Sequence, residues 1–216
     1  MNVLQSARRH KVRKIIFPSS SAVYGGESPD PCMEDDHLEP LSPYAVTKLA
    51  GEHLLEVYRA TYGLEYMAFR FFNVYGPRQN EEGGYAAVVP AFIQAALVGT
   101  DLTIYGDGEQ TRDFVYVEDV DVASAMRVAM EKGAGVYNIG CREAVTINDL
   151  ARNITDIASS GSELLYAPPR DGDILYSLAD VTKVKRDLGW APEWSLARGM
   201  QATVDWVDRK IEHMHH

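Results

Sequence analysis

The 216 residues are 46% hydrophobic and 24% charged, with 17 Gly and 10 Pro, which excludes a disordered, collagenous or coiled-coil chain and fits a globular one. A formal charge of −10, from 21 Lys and Arg against 31 Asp and Glu, provides no global basic field for a polyanion. The apolar run of about 18 residues that a membrane span needs is missing, and the first residues lack the apolar stretch of a signal peptide.

Val3, Leu4 and Ala7 give a short helical pattern, and Lys14-Ile15-Ile16-Phe17 then reads as a buried strand ending at Pro18. The basic cluster between them, Arg8, Arg9, Lys11, Arg13 and Lys14, reads as a turn from helix to strand rather than a nucleic-acid surface. A polar, Pro-rich loop spans Ser19 to Leu41. Ser42 before Pro43 supplies a capping hydroxyl and a first-turn proline, predicting a helix to Tyr62 that Gly63 stops. Glu65 to Phe72 is a second apolar strand, entering a turn over Asn73 to Arg78. This strand-helix-strand order implies a parallel sheet covered by helices, with ligands at the carboxyl ends of its strands.

Beyond Arg78 the pattern predicts a helix over 86–98, strands over 102–105 and 114–117, a helix ending at Met130 and a strand over 136–139. Helices follow over 146–158, 181–188 and 196–211, with strand-like 163–166 between the first two. The expected organisation is a partial α/β cofactor domain over 1–78, then a smaller α+β lobe over 79–216 that returns elements to the first sheet. Cys32 and Cys141 have neither C-x-x-C nor metal spacing, favouring a reducing cytoplasm over a disulfide framework. His213, His215 and His216 read as a frayed tail rather than a metal site.

Tyr44-Ala45-Val46-Thr47-Lys48 opens the predicted long helix, and the i, i+4 spacing places phenol and ammonium on one face. A phenol titrates near pH 10, and a neighbouring cation favours its phenolate, so Tyr44 can serve as a general base with Lys48 as its partner. The bare spacing, taken alone, is weak and better describes a half-buried tyrosine beside a solvated lysine.

The surrounding blocks distinguish these readings. Ser19-Ser20-Ser21-Ala22-Val23-Tyr24-Gly25, Ser42-Pro43-Tyr44-Ala45-Val46-Thr47-Lys48 and Arg70-Phe71-Phe72-Asn73-Val74-Tyr75-Gly76-Pro77-Arg78 resemble the extended short-chain dehydrogenase/reductase family, with the NAD-dependent nucleotide-sugar epimerases as the nearest group. The likeness continues through Gly106-Asp107-Gly108, Thr111-Arg112-Asp113-Phe114, Tyr137-Asn138-Ile139-Gly140 and Pro169-Arg170-Asp171-Gly172-Asp173. It implies a Rossmann-type doubly wound sheet with a sugar-nucleotide lobe, NAD as cofactor, and C4 epimerisation of a UDP-hexose through a 4-keto intermediate.

Carried over by position, the resemblance implies Ser20, Tyr44 and Lys48 as catalytic residues. Ser19, Tyr44, Lys48 and Phe71 would lie at the cofactor. Ser20, Asn73, Val88, Thr103, Tyr105, Arg112, Arg170, Asp173 and Ser177 would lie at the sugar nucleotide, with the arginines on the diphosphate and Asp173 on the ribose. It also implies a homodimer through a four-helix bundle, for which Leu49, Leu54, Leu55 and Tyr58 offer a stripe that can equally face the core.

Three departures qualify the match. The sequence has no G-x-x-G-x-x-G turn for the NAD pyrophosphate, and Gly133-Ala134-Gly135 follows a helix rather than opening one. The expectation is a fragment, or a chain whose missing strands come from a partner. Ser21 and Ala22 stand where dehydratases and decarboxylases of the family place acids, which disfavours elimination. Ser177 is small where members restricted to unsubstituted hexoses carry bulk. Room for a 2-acetamido group adds UDP-GlcNAc/UDP-GalNAc to UDP-Glc/UDP-Gal as substrates, unless Tyr176 refills the space.

Overall fold

The computed structural model describes residues 1–26, 30–79, 87–118, 122–170 and 174–214. Helix α1 (Asn2–Arg9) buries Leu4 and Ala7 and leads into strand β1 (Lys14–Ser20). The strand runs through Pro18 instead of stopping there; among the described residues it lies at a sheet edge, where a missing N–H is tolerated. A single 3₁₀ turn, Ser21–Val23, opens the following loop.

Helix α2 (Pro43–Tyr62) starts as the sequence predicts. The Ser42 hydroxyl accepts the Ala45 N–H at 3.1 Å, and Gly63 ends the helix at φ 69°, a left-handed geometry that glycine adopts without steric cost. Strand β2 (Glu65–Phe71) pairs parallel with β1, Lys14 opposite Glu65 and Ser20 opposite Phe71.

The remaining elements are β3 (Asn73–Tyr75), α3 (Val88–Val98), β4 (Leu102–Tyr105), β5 (Thr111–Tyr116), α4 (Val122–Glu131), β6 (Gly135–Ile139), β7 (Ala144–Thr146), α5 (Ile147–Ile157), β8 (Leu164–Ala167), α6 (Thr182–Leu188) and α7 (Leu196–Met214). Two short strands depart from the sequence reading. Asn73 to Tyr75, expected as part of a turn, pairs parallel with Phe114 to Tyr116, and Ala144 to Thr146 pairs antiparallel with Thr111 to Asp113. Each is three residues long, too short for periodicity to register, and is defined by its partner strand.

Among the described residues the strands form three sheets. β1-β2-β6 is all parallel, β3-β5-β7 is mixed, and β4-β8 is a parallel pair. Because β6 docks on β2 with Phe71 opposite Ile139, the second half of the chain completes the first sheet. One core lies under α1, α2 and β2, built from Leu4, Leu55, Tyr58, Leu64 and Tyr66. The largest joins α3, α5 and α7 to β4 and β5, with Ile93, Leu102, Leu150, Ile154 and Met200.

The basic turn is structural where its contacts are seen. Lys14 Nζ donates to the Ala129 and Gly133 carbonyls at 2.8 and 2.7 Å, and Arg13 donates to the Met130 carbonyl at 3.0 Å, closing the carboxyl end of α4. The α2 stripe proposed for a second copy faces inward. Leu55 and Tyr58 are buried, and Leu49 and Leu54 pack against core clusters, leaving Tyr44, Val46, Val57 and Tyr62 as the outward apolar residues.

Candidate active site

Tyr44 lies in the first turn of α2 and is 50% exposed. Lys48, one turn on, holds its ammonium 5.4 Å from the Tyr44 ring centroid and 5.5 Å from that of Phe17, and donates to the Pro18 carbonyl at 2.7 Å. The helix spacing thus becomes a fixed pair, with the lysine anchored on β1. Ser20 ends β1, and its hydroxyl accepts the Ala22 N–H at 3.2 Å, which fixes its direction. Phe71, its register partner, is half-buried at the end of β2. Ser20, Tyr44, Lys48 and Phe71 therefore gather at or beside the carboxyl ends of two parallel strands, the ligand edge of such a sheet.

Ser19 behaves differently from its expected cofactor role. It is only 3% exposed, and its hydroxyl donates to Glu52 Oε1 on α2, so it is committed to the interior. Alternation along β1 turns adjacent side chains to opposite faces, which separates it from Ser20.

Asn73, Val88, Thr103, Tyr105, Arg112 and Arg170 together line one cavity of about 560 Å³. They come from β3, α3, β4, β5 and the segment after β8, so the fold converges residues that span nearly 100 positions. Phe92, Asp101, Gln110 and Ile147, not anticipated from sequence, are also among its lining residues. Arg170 stacks its guanidinium 3.9 Å from the Tyr105 ring centroid, and the pair also borders a second cavity of about 650 Å³ that takes in Tyr166 and Pro169. Arg112 Nη1 donates to the Ile174 and Thr111 carbonyls at 2.6 and 2.8 Å, which aims its planar fork. Asn73 donates to the Asp113 carbonyl at 3.3 Å. Ser177 is buried while its neighbour Tyr176 is exposed. Asp173 lies outside the described residues.

Two buried polar clusters support this site. Asp113 on β5, fully buried, accepts the backbone N–H groups of Cys141, Arg142 and Ala179 at 2.7, 2.9 and 3.0 Å. Burial, opposed by those three hydrogen bonds, pushes its pKa up to about 6. This carboxylate ties the segment carrying Ser177 to the strand carrying Arg112. A Cβ on Gly140 would sit 2.7 Å from Asp113 Oδ2, so only glycine fits beside it.

In the second cluster, Arg70 on β2 pairs with Glu52 at 2.7 and 3.1 Å and donates to the Tyr24 hydroxyl at 3.0 Å, while Tyr24 donates to Asn138 at 2.7 Å. Burial works against the Arg70 charge, but the Glu52 carboxylate and the Tyr24 phenol more than offset it, and its pKa rises. Burial likewise pushes the Tyr24 phenol up. An arginine inside the apolar run Glu65 to Phe72 was the sequence signal for this cluster, because a buried charge requires a partner.

The donor set fits the nicotinamide-ribose end of NAD. An ammonium has three N–H donors, of which Lys48 gives one to Pro18, and the others suit ribose hydroxyls. Among the described residues no three His, Cys, Asp or Glu side chains form a metal cluster.

Comparison with known proteins identifies the family. The chain is similar to the UDP-glucose 4-epimerase of Thermotoga maritima, whose crystal structure with UDP-glucose superposes with a TM-score of 0.92 at 39% identity, over 97% of this chain and 68% of that one. The UDP-N-acetylglucosamine 4-epimerase of Methanobrevibacter ruminantium M1, solved with UDP-N-acetylmuramic acid, gives 0.92 and 39% over 97% and 67%. A UDP-N-acetyl-alpha-D-glucosaminuronate decarboxylase of Bacillus cytotoxicus is 37% identical over 98% of this chain and 68% of its own length. The chain thus spans about two thirds of each of these relatives. Residues 1–140 match the family model described as the NAD dependent epimerase/dehydratase family, and with that fold and that pairing of Tyr44 and Lys48 the chain belongs to this family, within the extended short-chain dehydrogenase/reductases.

Proposed function

We propose that this chain forms the catalytic edge and sugar-nucleotide site of a UDP-hexose 4-epimerase. The observation that carries the reading is the single cavity lined by Asn73, Val88, Thr103, Tyr105, Arg112 and Arg170, reached from β2 through Asn73 only two residues beyond Phe71. An apolar and aromatic wall suits a nucleobase, and two guanidinium groups suit the diphosphate that follows it.

At the reacting carbon, the Tyr44 hydroxyl oxygen takes the proton of the C4 hydroxyl, and Ser20 Oγ shares the hydrogen bond to that oxygen. The Lys48 ammonium, anchored on the Pro18 carbonyl beside the Tyr44 ring, holds the nicotinamide ribose. NAD, when bound, supplies the hydride acceptor at C4 and the donor that returns the hydride to the opposite face. Tyr44 then returns the proton, with no net redox change. Ala22 and Ser21 offer no carboxyl group to protonate a leaving hydroxyl, which supports epimerisation over elimination. The buried, small Ser177 with exposed Tyr176 supports substrates carrying a 2-acetamido group alongside unsubstituted hexoses. Asp173 is assigned to the nucleotide ribose, Val88 and Thr103 to the nucleobase, and Phe71 to the nicotinamide face.

The domain reading follows the same division, cofactor side over 1–78 and sugar-nucleotide lobe over 79–216, with β6 as the returning element. Val46, Val57 and Tyr62, outward on α2, support a homodimer through that helix.

Calorimetric titration tests the site. The full chain binds UDP, UDP-glucose and UDP-GlcNAc, and Arg112→Ala weakens all three by about tenfold to a hundredfold, the worth of a charge-assisted hydrogen-bond pair. Equal binding by the variant and the parent would place the diphosphate elsewhere. Ser177→Tyr lowers UDP-GlcNAc affinity while sparing UDP-glucose; parallel losses would remove Ser177 from the sugar pocket.

A further inference from the structure

The amino-terminal half of α2 carries Tyr44 and Lys48, and its apolar contacts with the protein are few: Leu49 packs against the cluster of Val23, Tyr24 and Phe72, and Gly51 lies close to the Phe17 ring. From Ser42 to Glu52 the fully buried side chains are Ala45 and Glu52, whereas Leu55 and Tyr58 anchor the second half in a core cluster. Polar contacts add to these, and they engage successive residues of β1. Lys48 donates to the carbonyl of Pro18, and one turn later Glu52 accepts the hydroxyl of Ser19. Glu52 also receives two bonds from Arg70, whose Cα is the register partner of Ser19 on the neighbouring strand. Side chains of Glu52 and Arg70 are 5% and 4% exposed.

A helix clamped to adjacent residues of one strand by side chains one turn apart has a fixed axial position. Sliding α2 breaks the Lys48 and Glu52 contacts together, and Ser20 is the next residue along the same strand. We propose that Glu52, acting with Arg70 and Ser19, is a positioning residue that sets the axial register of α2 on β1 and thereby the placement of Tyr44 against Ser20. The inference rests on the reading of Tyr44 as base and adds what fixes that base in place.

The test is the full chain with Glu52→Leu and Arg70→Met together. Removing both charges and filling their volume leaves no buried ion unpaired, and such replacements commonly preserve folding. A crystal structure of this double variant should show α2 displaced along β1 and the Lys48 Nζ to Pro18 oxygen bond broken. An unmoved helix with that bond intact would overturn the proposal, because apolar packing would then set the register alone. Kinetics with NAD and UDP-glucose provide the second arm. In the double variant kcat should fall at least tenfold with KM within about twofold of the parent, since nucleotide contacts lie on other elements, and Ser19→Ala should give an intermediate loss. A rise in KM with kcat unchanged would contradict the positioning role. Tyr44→Phe separates the two claims: if it retains kcat, the base assignment fails whatever Glu52 does, and if it abolishes turnover while the double variant remains at the parent rate, only the positioning role fails.

Discussion

Individual side chains take their chemistry from the environment that the fold builds around them. Asp113 is the clearest case, since burial raises its pKa to about 6 despite three backbone donors. A carboxyl whose pKa is higher folded than unfolded adds stability below its unfolded value, near pH 4, and loses it as pH rises through about 6. Relative to Asp113→Asn, which does not titrate, the parent should therefore lose on the order of 2 kcal/mol of stability between pH 4.5 and 7.5. Urea unfolding of both proteins at the two pH values reads this difference, and parallel stabilities would mean that Asp113 keeps an ordinary pKa. Neither Asp113 nor Glu52 was singled out from sequence. The partners of Asp113 are 28, 29 and 66 residues away, and no spacing rule connects them. Glu52 was closer to legible, because it stands one turn beyond Lys48 on the helix that already held the chemistry.

Elements were legible wherever a local signal was complete. The hydroxyl of Ser42, the first-turn proline and the terminal glycine of α2 bracket twenty residues correctly. β3 and β7 were not legible, because three-residue strands are created by pairing with β5. The two glycines of α2 and its cap distinguish packing from backbone strain. A Cβ at position 51 would meet the Phe17 ring at 2.4 Å. Gly51→Ala should therefore destabilise the fold by about 1–3 kcal/mol through overpacking, more than the roughly 1 kcal/mol that alanine gains over glycine in a helix. At Gly63 the space is open but φ is +69°, so Gly63→Ala should cost about 1–2 kcal/mol from left-handed strain alone. Thermal unfolding checks both. A stabilised Gly51→Ala would mean that α2 does not approach β1 so closely, contrary to the clamp proposed for Glu52.

At the scale of the whole molecule, the strand and helix order indicated a parallel α/β sheet, and the motif blocks indicated the family. What the order could not convey was convergence, since Asn73, Val88, Thr103, Tyr105, Arg112 and Arg170 become neighbours only when β4, β5 and the segment after β8 fold against α3. Ser19 shows the reverse, a motif position that the pleat turns away from the cleft. A converged cavity makes ligand binding a property of the folded state. UDP at a hundredfold excess over its Kd should stabilise the chain by about 2.7 kcal/mol and raise Tm by roughly 5–11 °C, a shift that Arg112→Ala should reduce at the same UDP concentration; no shift with the parent would exclude the cavity as a UDP site. The central claim, C4 epimerisation with Tyr44 as base, is tested most directly by proton NMR of UDP-glucose, and separately UDP-GlcNAc, incubated with the full chain and NAD. The parent should form the C4 epimer and Tyr44→Phe should not; an epimer formed equally by both proteins, or a decarboxylated or dehydrated product in its place, would overturn the assignment.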